Sequence, residues 1–152
     1  MKGTFQVIGL KTRIISPGDS LLSNIEDALK YLDLIFEDND ILVIAESAVA
    51  TAQGRVISLA EIKPSDKAKE LAEKYVIEPS LAEIVLRESD TIIGGIPGFL
   101  LSIKSGHLLP NAGIDGSNAP EGMVTLLPEK PDETAHELRK TILSRYGKQV
   151  AI

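Results

Sequence analysis

The residues with the clearest potential for chemistry lie in one octet, Asn111-Ala112-Gly113-Ile114-Asp115-Gly116-Ser117-Asn118. Its two glycines let the backbone turn tightly and approach a ligand. Asp115 offers a hard oxygen ligand that suits Mg²⁺ or Mn²⁺, while Ser117 and Asn118 offer a hydroxyl and an amide for phosphate, base or ribose. The same residue types also form polar turns that satisfy their own backbone groups. The octet by itself therefore leaves a binding loop and a plain turn as alternatives.

A second candidate segment runs from Glu46 to Arg55, directly after an apolar run that predicts a buried strand. Ligands often bind beyond the carboxyl end of such a strand. The small residues of the segment allow close approach, and Arg55 is suited to a phosphate or a carboxylate. The segment is not a P-loop, because the Gly-Lys-Ser/Thr ending is missing. The alternative is a small-residue helix that packs closely on the sheet.

Two glycine-containing segments carry weaker signals. Val7-Ile8-Gly9-Leu10 is typical of the end of a strand. Gly94-Gly95-Ile96-Pro97-Gly98 has the composition of a phosphate loop, but its proline removes an N–H donor that a phosphate cradle needs. We interpret it as a bend between strands.

The elements that position these segments follow from hydrophobic periodicity and turn signals. The predicted strands are Phe5–Leu10, a fully buried Ile41–Ala45, Arg55–Leu59, Phe99–Ile103, Met123–Leu127 and a last one beginning at Lys148. The predicted helices are 20–34, one from Ser65 as N-cap to Tyr75, one from Ser80 with Glu83 in a capping box, and one from Pro131 to Gly147. Because strands and helices do not alternate strictly, the pattern predicts an α+β fold, a single domain with a mixed or antiparallel sheet and packed helices.

Composition excludes several classes of function. The 152 residues carry 16 Lys and Arg against 22 Asp and Glu, a net charge of −6 that does not suit general nucleic-acid binding. The absence of cysteine excludes disulfides and thiolate metal sites, and two histidines nearly exclude a multi-histidine site. No apolar run reaches the roughly 20 residues that span a membrane, and the start lacks a signal-peptide pattern. We therefore expect a cytoplasmic protein with no membrane contact.

Taken together, these segments resemble the family of coenzyme F-420-0:L-glutamate ligases, also called γ-glutamyl ligases. The resemblance covers essentially the whole chain. It rests on the following motifs: Val7–Leu10, Pro17-Gly18-Asp19, Asp40–Ile44 leading into Ala52-Gln53-Gly54-Arg55, Pro64-Ser65, and above all the Asn111–Asn118 octet.

The resemblance implies a GTP-dependent ligase that adds L-glutamate to the deazaflavin coenzyme precursor, uses Mg²⁺ or Mn²⁺, often with K⁺, and works as a homodimer. It places the metal at Asp115 and leaves the catalytic residues unassigned. It places the guanine nucleotide at the following residues: Val7, Ile8, Gly9, Leu10, Glu46, Ser47, Thr51 and Asn118. It also implies that the family domain continues past residue 152, so that residues 1–152 are its amino-terminal portion.

Other hypotheses remain open beside this one. Glu46-Ser47 stands where the family usually shows Ser-Thr, and Thr51 stands where it shows a lysine. The missing lysine removes a cation from a polyphosphate site. The chain is then either an incomplete or non-catalytic nucleotide-binding or structural relative of the same fold, or an amide ligase with a different acceptor.

Overall fold

The structure is a computed structural model that describes residues 4–152. The helices of the described chain are α1 Leu21–Tyr31, α2 Glu46–Ala52, α3 Asp66–Tyr75, α4 Pro79–Glu88 and α5 Pro131–Tyr146. The strands are β1 Val56–Ser58, β2 Thr91–Ile96, β3 Phe99–Lys104, β4 His107–Pro110 and β5 Met123–Thr125. One sheet pairs β1 with β5 and the other has the order β2-β3-β4, all antiparallel. The predicted α+β class is confirmed.

The chain groups into two compact units. The first unit comprises the residues up to Gly54 together with Glu129–Ile152, and the second unit comprises Arg55–Pro128. The first therefore joins two separate stretches of sequence, whereas the second is one continuous stretch.

The first unit is built on α1 and α5. The Ser20 hydroxyl caps α1 by accepting a hydrogen bond from the Ser23 N–H at 3.2 Å. Gly147 caps the C-terminus of α5 with a φ of +66°, which suits glycine. The apolar faces of both helices contribute to one core, whose buried members are Leu22, Ile25, Phe36, Ile142 and Val150. Both helices agree with the sequence prediction.

Three strands predicted in the first unit are wrong. The segment that begins at Lys148 forms no strand, because only its Ala151 makes a bridge, to Ile41. Residues 4–10 form no strand, and Phe5 and Val7 are 91% and 83% exposed. Ile41–Ala45 is neither a strand nor fully buried, because only Ile41 makes a bridge, a parallel one to Ala151. Its burial alternates instead: Leu42 and Ile44 pack on the core while Ile41 and Val43 face outward.

In the second unit, α3 and α4 pack together with the three-stranded sheet. The Ser65 hydroxyl caps α3 by accepting from the Ala68 N–H at 3.2 Å, as predicted. The predicted capping box at Ser80 and Glu83 is wrong, since the Glu78 carboxylate caps α4 and accepts from the Leu81 N–H at 2.6 Å. The main core of this unit lies between the helices and β3, and its buried members include Leu71, Ala82, Val85 and Leu100.

The glycine-rich stretch before Phe99 is also more regular than predicted. β2 continues through Gly94 and Gly95 with an irregularity in register, and only Pro97-Gly98 forms the turn to β3. Strand β4, which no sequence signal indicated, extends the hairpin to a third strand. Over residues 4–152 we find no helix with the length and apolar character that crossing a membrane requires.

Candidate functional site

The octet begins in a strained backbone that its surroundings hold in place. Asn111, Ala112 and Gly113 all have positive φ, of 49°, 55° and 75°. The Asn111 Oδ1 accepts from the Leu100 N–H at 2.9 Å, and the Ala112 N–H donates to the buried Ser102 Oγ at 3.0 Å. Non-glycine residues keep such conformations only where neighbouring contacts enforce them. Strand β3 therefore fixes the start of the octet.

Asp115 is fixed both through its backbone and through its side chain. Its N–H donates to the Thr125 carbonyl at 3.0 Å, and its carbonyl accepts from the Thr125 N–H at 2.8 Å. Its carboxylate accepts from the Ser117 N–H at 3.0 Å and from the Ser117 Oγ at 2.5 Å. The bonds from Ser117, with a smaller contribution from the Asn118 side chain, hold the pKa of Asp115 below its usual range. The carboxylate is thus an exposed, ionised group inside a polar turn.

This geometry bears on the predicted metal site. Across residues 4–152 no group of three or more His, Cys, Asp and Glu side chains could hold a metal ion. Asp115 fits one position of a Mg²⁺ or Mn²⁺ shell, and the other ligands would have to be substrate phosphates and water. Metal binding at Asp115 stays a prediction; each carboxylate oxygen accepts one hydrogen bond from Ser117 and keeps a further lone pair for a metal ion.

The predicted nucleotide residues of the first unit lie on two segments. Glu46, Ser47 and Thr51 belong to α2, so this segment of small residues is helical, and its contact with a nucleotide stays a prediction. Ser47 and Thr51 are four residues apart on one helix face and half-buried, whereas Glu46 is exposed in the first turn. Residues 7–9 are exposed, and Leu10 packs against the core of the unit.

Asn118 and Asp115 belong to the second unit, while the other predicted nucleotide residues belong to the first. Asn118 is exposed at the end of the octet. The octet thus brings Asp115 and Asn118 together, and their roles toward a nucleotide stay predictions.

The sequence indicated a phosphate or a carboxylate as the partner of Arg55, and in the structure the Glu88 carboxylate is one of its partners. Its Nη2 lies 2.7 Å from the Glu88 Oε2, and its Nε donates to the Leu127 carbonyl at 2.6 Å. The Lys104 Nζ contacts the same Glu88 oxygen, and all three charged side chains are about four-fifths buried. Sequence reasoning missed Glu88 and Lys104, because no motif spacing links them to Arg55.

Sequence reasoning also missed a cleft in the first unit. Its volume is about 190 Å³, and its lining residues are Lys11, Thr12, Arg13, Asn24, Asp27, Ala28 and Tyr31. The signal that could have indicated it is the spacing of Asn24, Asp27 and Tyr31, which places their polar groups on one face of α1.

Comparison with known proteins gives one consistent result. The family described as F420-0:gamma-glutamyl ligase matches residues 9–152. Proteins called coenzyme F420:L-glutamate ligase are similar to this chain: one from Methanopyrus kandleri is 40% identical over 92% of the chain and 54% of its own length. One from Archaeoglobus fulgidus is 37% identical over 97% of the chain and 57% of its own length. One from Methanothermobacter thermautotrophicus is 39% identical over 91% of the chain and 56% of its own length. The chain spans about half the length of the curated relatives it matches.

Proposed function

The chain belongs to the F420-0:gamma-glutamyl ligase family, and we propose that it takes part in a reaction that joins L-glutamate to coenzyme F420-0. The observation that carries this proposal is the match to the family over residues 9–152, supported by relatives of that activity at 37–40% identity. The product is an amide between the carboxylate of the coenzyme precursor and the amino group of glutamate.

Amide formation from a carboxylate in water needs activation, and we propose that GTP supplies it. The carboxylate attacks the γ-phosphorus of GTP, which yields an acyl phosphate and GDP. The amine of glutamate then attacks the acyl carbon, phosphate leaves, and the amine loses a proton. A divalent cation, Mg²⁺ or Mn²⁺, would neutralise phosphate charge during such a transfer, with K⁺ as a further ion.

The proposal assigns roles to the residues that the family resemblance singled out. The nucleotide would contact residues 7–10, then Glu46, Ser47 and Thr51 on α2, and Asn118 at the end of the octet. Asp115 would supply one ligand of the divalent cation. No step is derived through that cation, because the described residues contain no group of three or more His, Cys, Asp and Glu side chains that could hold it.

We also propose a cytoplasmic homodimer. In support, the first unit leaves several large apolar side chains exposed, among them Phe5, Val7, Ile14, Ile41 and Val43. Large apolar side chains exposed on a folded unit are a feature of interaction surfaces. Sedimentation equilibrium tests the dimer, and a mass that stays at 16.3 kDa over a wide range of concentration argues against it.

The experiment that tests the function is a ligation assay read by liquid chromatography and mass spectrometry. The protein is incubated with coenzyme F420-0, L-glutamate, GTP, Mn²⁺ and K⁺. We expect a product heavier by one glutamyl residue, with GDP and phosphate formed in equal amounts. The Archaeoglobus fulgidus relative serves as the positive control. If that relative yields product and this protein yields none, ligation of L-glutamate to coenzyme F420-0 by this chain is excluded.

A second candidate function is nucleotide binding without turnover. It is favoured by Thr51, which stands where the family resemblance implies a lysine. It predicts GTP binding by calorimetry without product in the ligation assay. A third candidate, ligation to another acceptor, predicts GDP release with a different acid in place of coenzyme F420-0.

A further inference from the structure

A fully buried hydroxyl joins two strands of the second unit to the octet. Ser102 lies in β3 and is 0% exposed. Its Oγ donates to the Leu109 carbonyl of β4 at 3.0 Å and accepts from the Ala112 N–H at 3.0 Å. A serine hydroxyl has one proton to donate, so a proton that is given to β4 leaves only the oxygen lone pairs for the octet. The two bonds therefore fix the orientation of the hydroxyl.

The Ala112 N–H relies on this hydroxyl because water cannot reach it. Ala112 is 0% exposed and has a φ of +55°. Its neighbours Asn111 and Gly113 also have positive φ, so the chain makes a left-handed turn over residues 111–113. A non-glycine residue keeps this conformation only where contacts enforce it, and a buried N–H that loses its acceptor is costly. Without the Ser102 oxygen, we expect the turn to change its conformation until the N–H finds another acceptor.

The rest of the octet follows the position of this turn. A Cβ built on Gly113 would lie 2.7 Å from the Leu127 Cγ, so the turn has no space to move toward that side chain. Beyond the turn, the backbone of Asp115 pairs with Thr125 in an isolated bridge and not in a strand. A single bridge holds its register weakly, so the register is set by where the turn directs the chain. Displacement of residues 111–113 therefore moves Asp115 and the residues after it.

We propose that Ser102 is a positioning residue for nucleotide binding. Through the Ala112 N–H its hydroxyl sets the turn at residues 111–113, and the turn holds Asp115 and Asn118 where the nucleotide and its cation bind. The roles of those last two residues rest on the proposed function. Ser102 itself touches no ligand, because it is fully buried, and it acts through the backbone of the octet.

The test measures GTP binding to the full chain by calorimetry in the presence of Mg²⁺. Ser102→Ala removes the oxygen and keeps nearly the same volume, and we expect it to weaken GTP binding about tenfold because the octet is displaced. Ser89→Ala is the matched control and should leave GTP binding unchanged, since the Ser89 hydroxyl donates to the Val85 carbonyl of α4 in the same unit. Ser102→Cys keeps a weaker acceptor and should give an intermediate loss, and it decides the matter if Ser102→Ala does not fold.

Two-dimensional NMR of the same variants shows whether the turn moves the residues assigned to the ligand. In Ser102→Ala we expect the backbone amide signals of residues 114–118 to shift, although the lost hydrogen bond is to Ala112. Unchanged signals over residues 114–118 overturn the proposal, because the bridge to Thr125 would then hold the octet by itself. Unchanged GTP affinity in folded Ser102→Ala or Ser102→Cys also overturns it, because the hydroxyl would then have only a structural role.

The wild-type protein separates this inference from the proposed function. Wild-type protein that binds no GTP overturns the nucleotide's part in the proposed function, and the role of Ser102 with it. Wild-type protein and Ser102→Ala that bind GTP equally well overturn only the role of Ser102. In active protein, Ser102→Ala should raise the KM for GTP about tenfold and leave the KM for glutamate unchanged. A substitution that only destabilises the protein lowers the amount of folded enzyme, and hence the apparent kcat, without changing either KM.

Discussion

At the scale of single residues, the carboxylate of Asp115 accepts hydrogen bonds from its own turn and is still exposed enough to contact a ligand. Its carboxylate is exposed and ionised, but Ser117 occupies both oxygens. A metal ion can reorient the carboxylate only if it binds the carboxylate oxygens more strongly than the Ser117 hydroxyl and N–H do. Substrate phosphates increase that advantage by completing the metal shell, so we expect metal binding to depend on nucleotide.

Substitution of Asp115 tests this expectation. Asp115→Asn should weaken Mn²⁺ binding in the presence of GTP at least about tenfold, because the anionic ligand is lost. Ser117→Ala should keep Mn²⁺ affinity or raise it, because it removes a competing hydroxyl and leaves the carboxylate. Electron paramagnetic resonance of free Mn²⁺ measures both. Unchanged affinity in Asp115→Asn would show that this residue is only a turn former.

Glu83 is a second carboxylate of low pKa, and its role is structural. It is buried in α4 and accepts from the Ser65 N–H at 2.9 Å and the Ser65 Oγ at 2.6 Å, and Arg87 donates to it at 2.8 Å. The hydrogen bonds from Ser65, followed by that from Arg87, lower the pKa of Glu83 to about 2. One side chain thus joins the N-terminus of α3 to α4.

This linkage makes stability depend on pH. Because the folded-state pKa lies below the ordinary 4.5, the stabilisation is full above about pH 4.5 and is lost as the pH falls toward 2. Glu83→Gln should lower the free energy of unfolding at pH 7 by about 2 kcal/mol and should flatten its decrease between pH 5 and pH 3. Urea unfolding at both pH values measures this.

The control for Glu83 is Glu73→Gln, at an exposed position on α3. It should leave both the stability and its pH dependence within about 0.5 kcal/mol of the wild type. A Glu83→Gln protein with an unchanged pH profile would show that the link from Ser65 to α4 contributes nothing.

Local chemistry at single positions could be predicted from sequence, and long-range pairing could not. The Ser65 cap was predicted correctly because a cap depends on a hydroxyl and an N–H three residues away. The partner of Glu83 was predicted wrongly as Ser80, because the nearer serine has capping-box spacing while the true donor lies 18 residues before Glu83. The buried Asn24 Oδ1, which accepts no hydrogen bond within residues 4–152, has no sequence signal, since only packing shows which buried atoms lack a donor.

At the scale of elements, Gly95 in β2 is required by close packing. A Cβ built there would lie 2.5 Å from the Phe99 carbonyl oxygen and 2.9 Å from the Tyr75 Cδ1, on α3. A Cβ at Gly94 would meet nothing within 4 Å. Close packing therefore requires glycine at position 95 but not at position 94, although both residues lie in β2.

We expect Gly95→Ala to lower the free energy of unfolding by about 2 kcal/mol, because the backbone of β3 and the ring of Tyr75 must move. Gly94→Ala should leave stability unchanged or raise it slightly, because alanine suits a strand interior better than glycine does. Thermal unfolding followed by circular dichroism compares the two. Equal losses in both variants would contradict the close contact at Gly95.

The strands that were wrongly predicted share one cause. Phe5–Leu10, Ile41–Ala45 and the segment from Lys148 have the composition of strands, but a strand also needs a hydrogen-bonded partner, which composition does not show. Within the described residues of these three segments, the one bridge joins Ile41 to Ala151. The helices were predicted well because all their backbone bonds are local. The octet was predicted as a loop, but its anchoring to β3 by Ser102 required the structure.

At the scale of the whole molecule, fold class was predictable and the division into units was not. The α+β class followed from the order of apolar patterns, which depends on local periodicity. The division depends on which apolar faces meet. Ile142 and Val150 complete the core with Leu22 and Ile25, more than 100 residues earlier in the chain, and no local pattern reports that contact.

The continuity of the second unit predicts that it folds by itself. Residues 55–128 contain two complete apolar clusters, one around Val85 and Leu100 and one around Ile84 and Val124. We expect the fragment 55–128 to unfold cooperatively in urea, because its core lies within one stretch of chain. The fragment 1–54 should show no cooperative transition, since it lacks Ile142 and Val150. Circular dichroism and hydrogen exchange on both fragments measure this. A disordered 55–128 would mean that its stability depends on residues outside the unit, and the octet that carries Asp115 would then need the rest of the protein to take its shape.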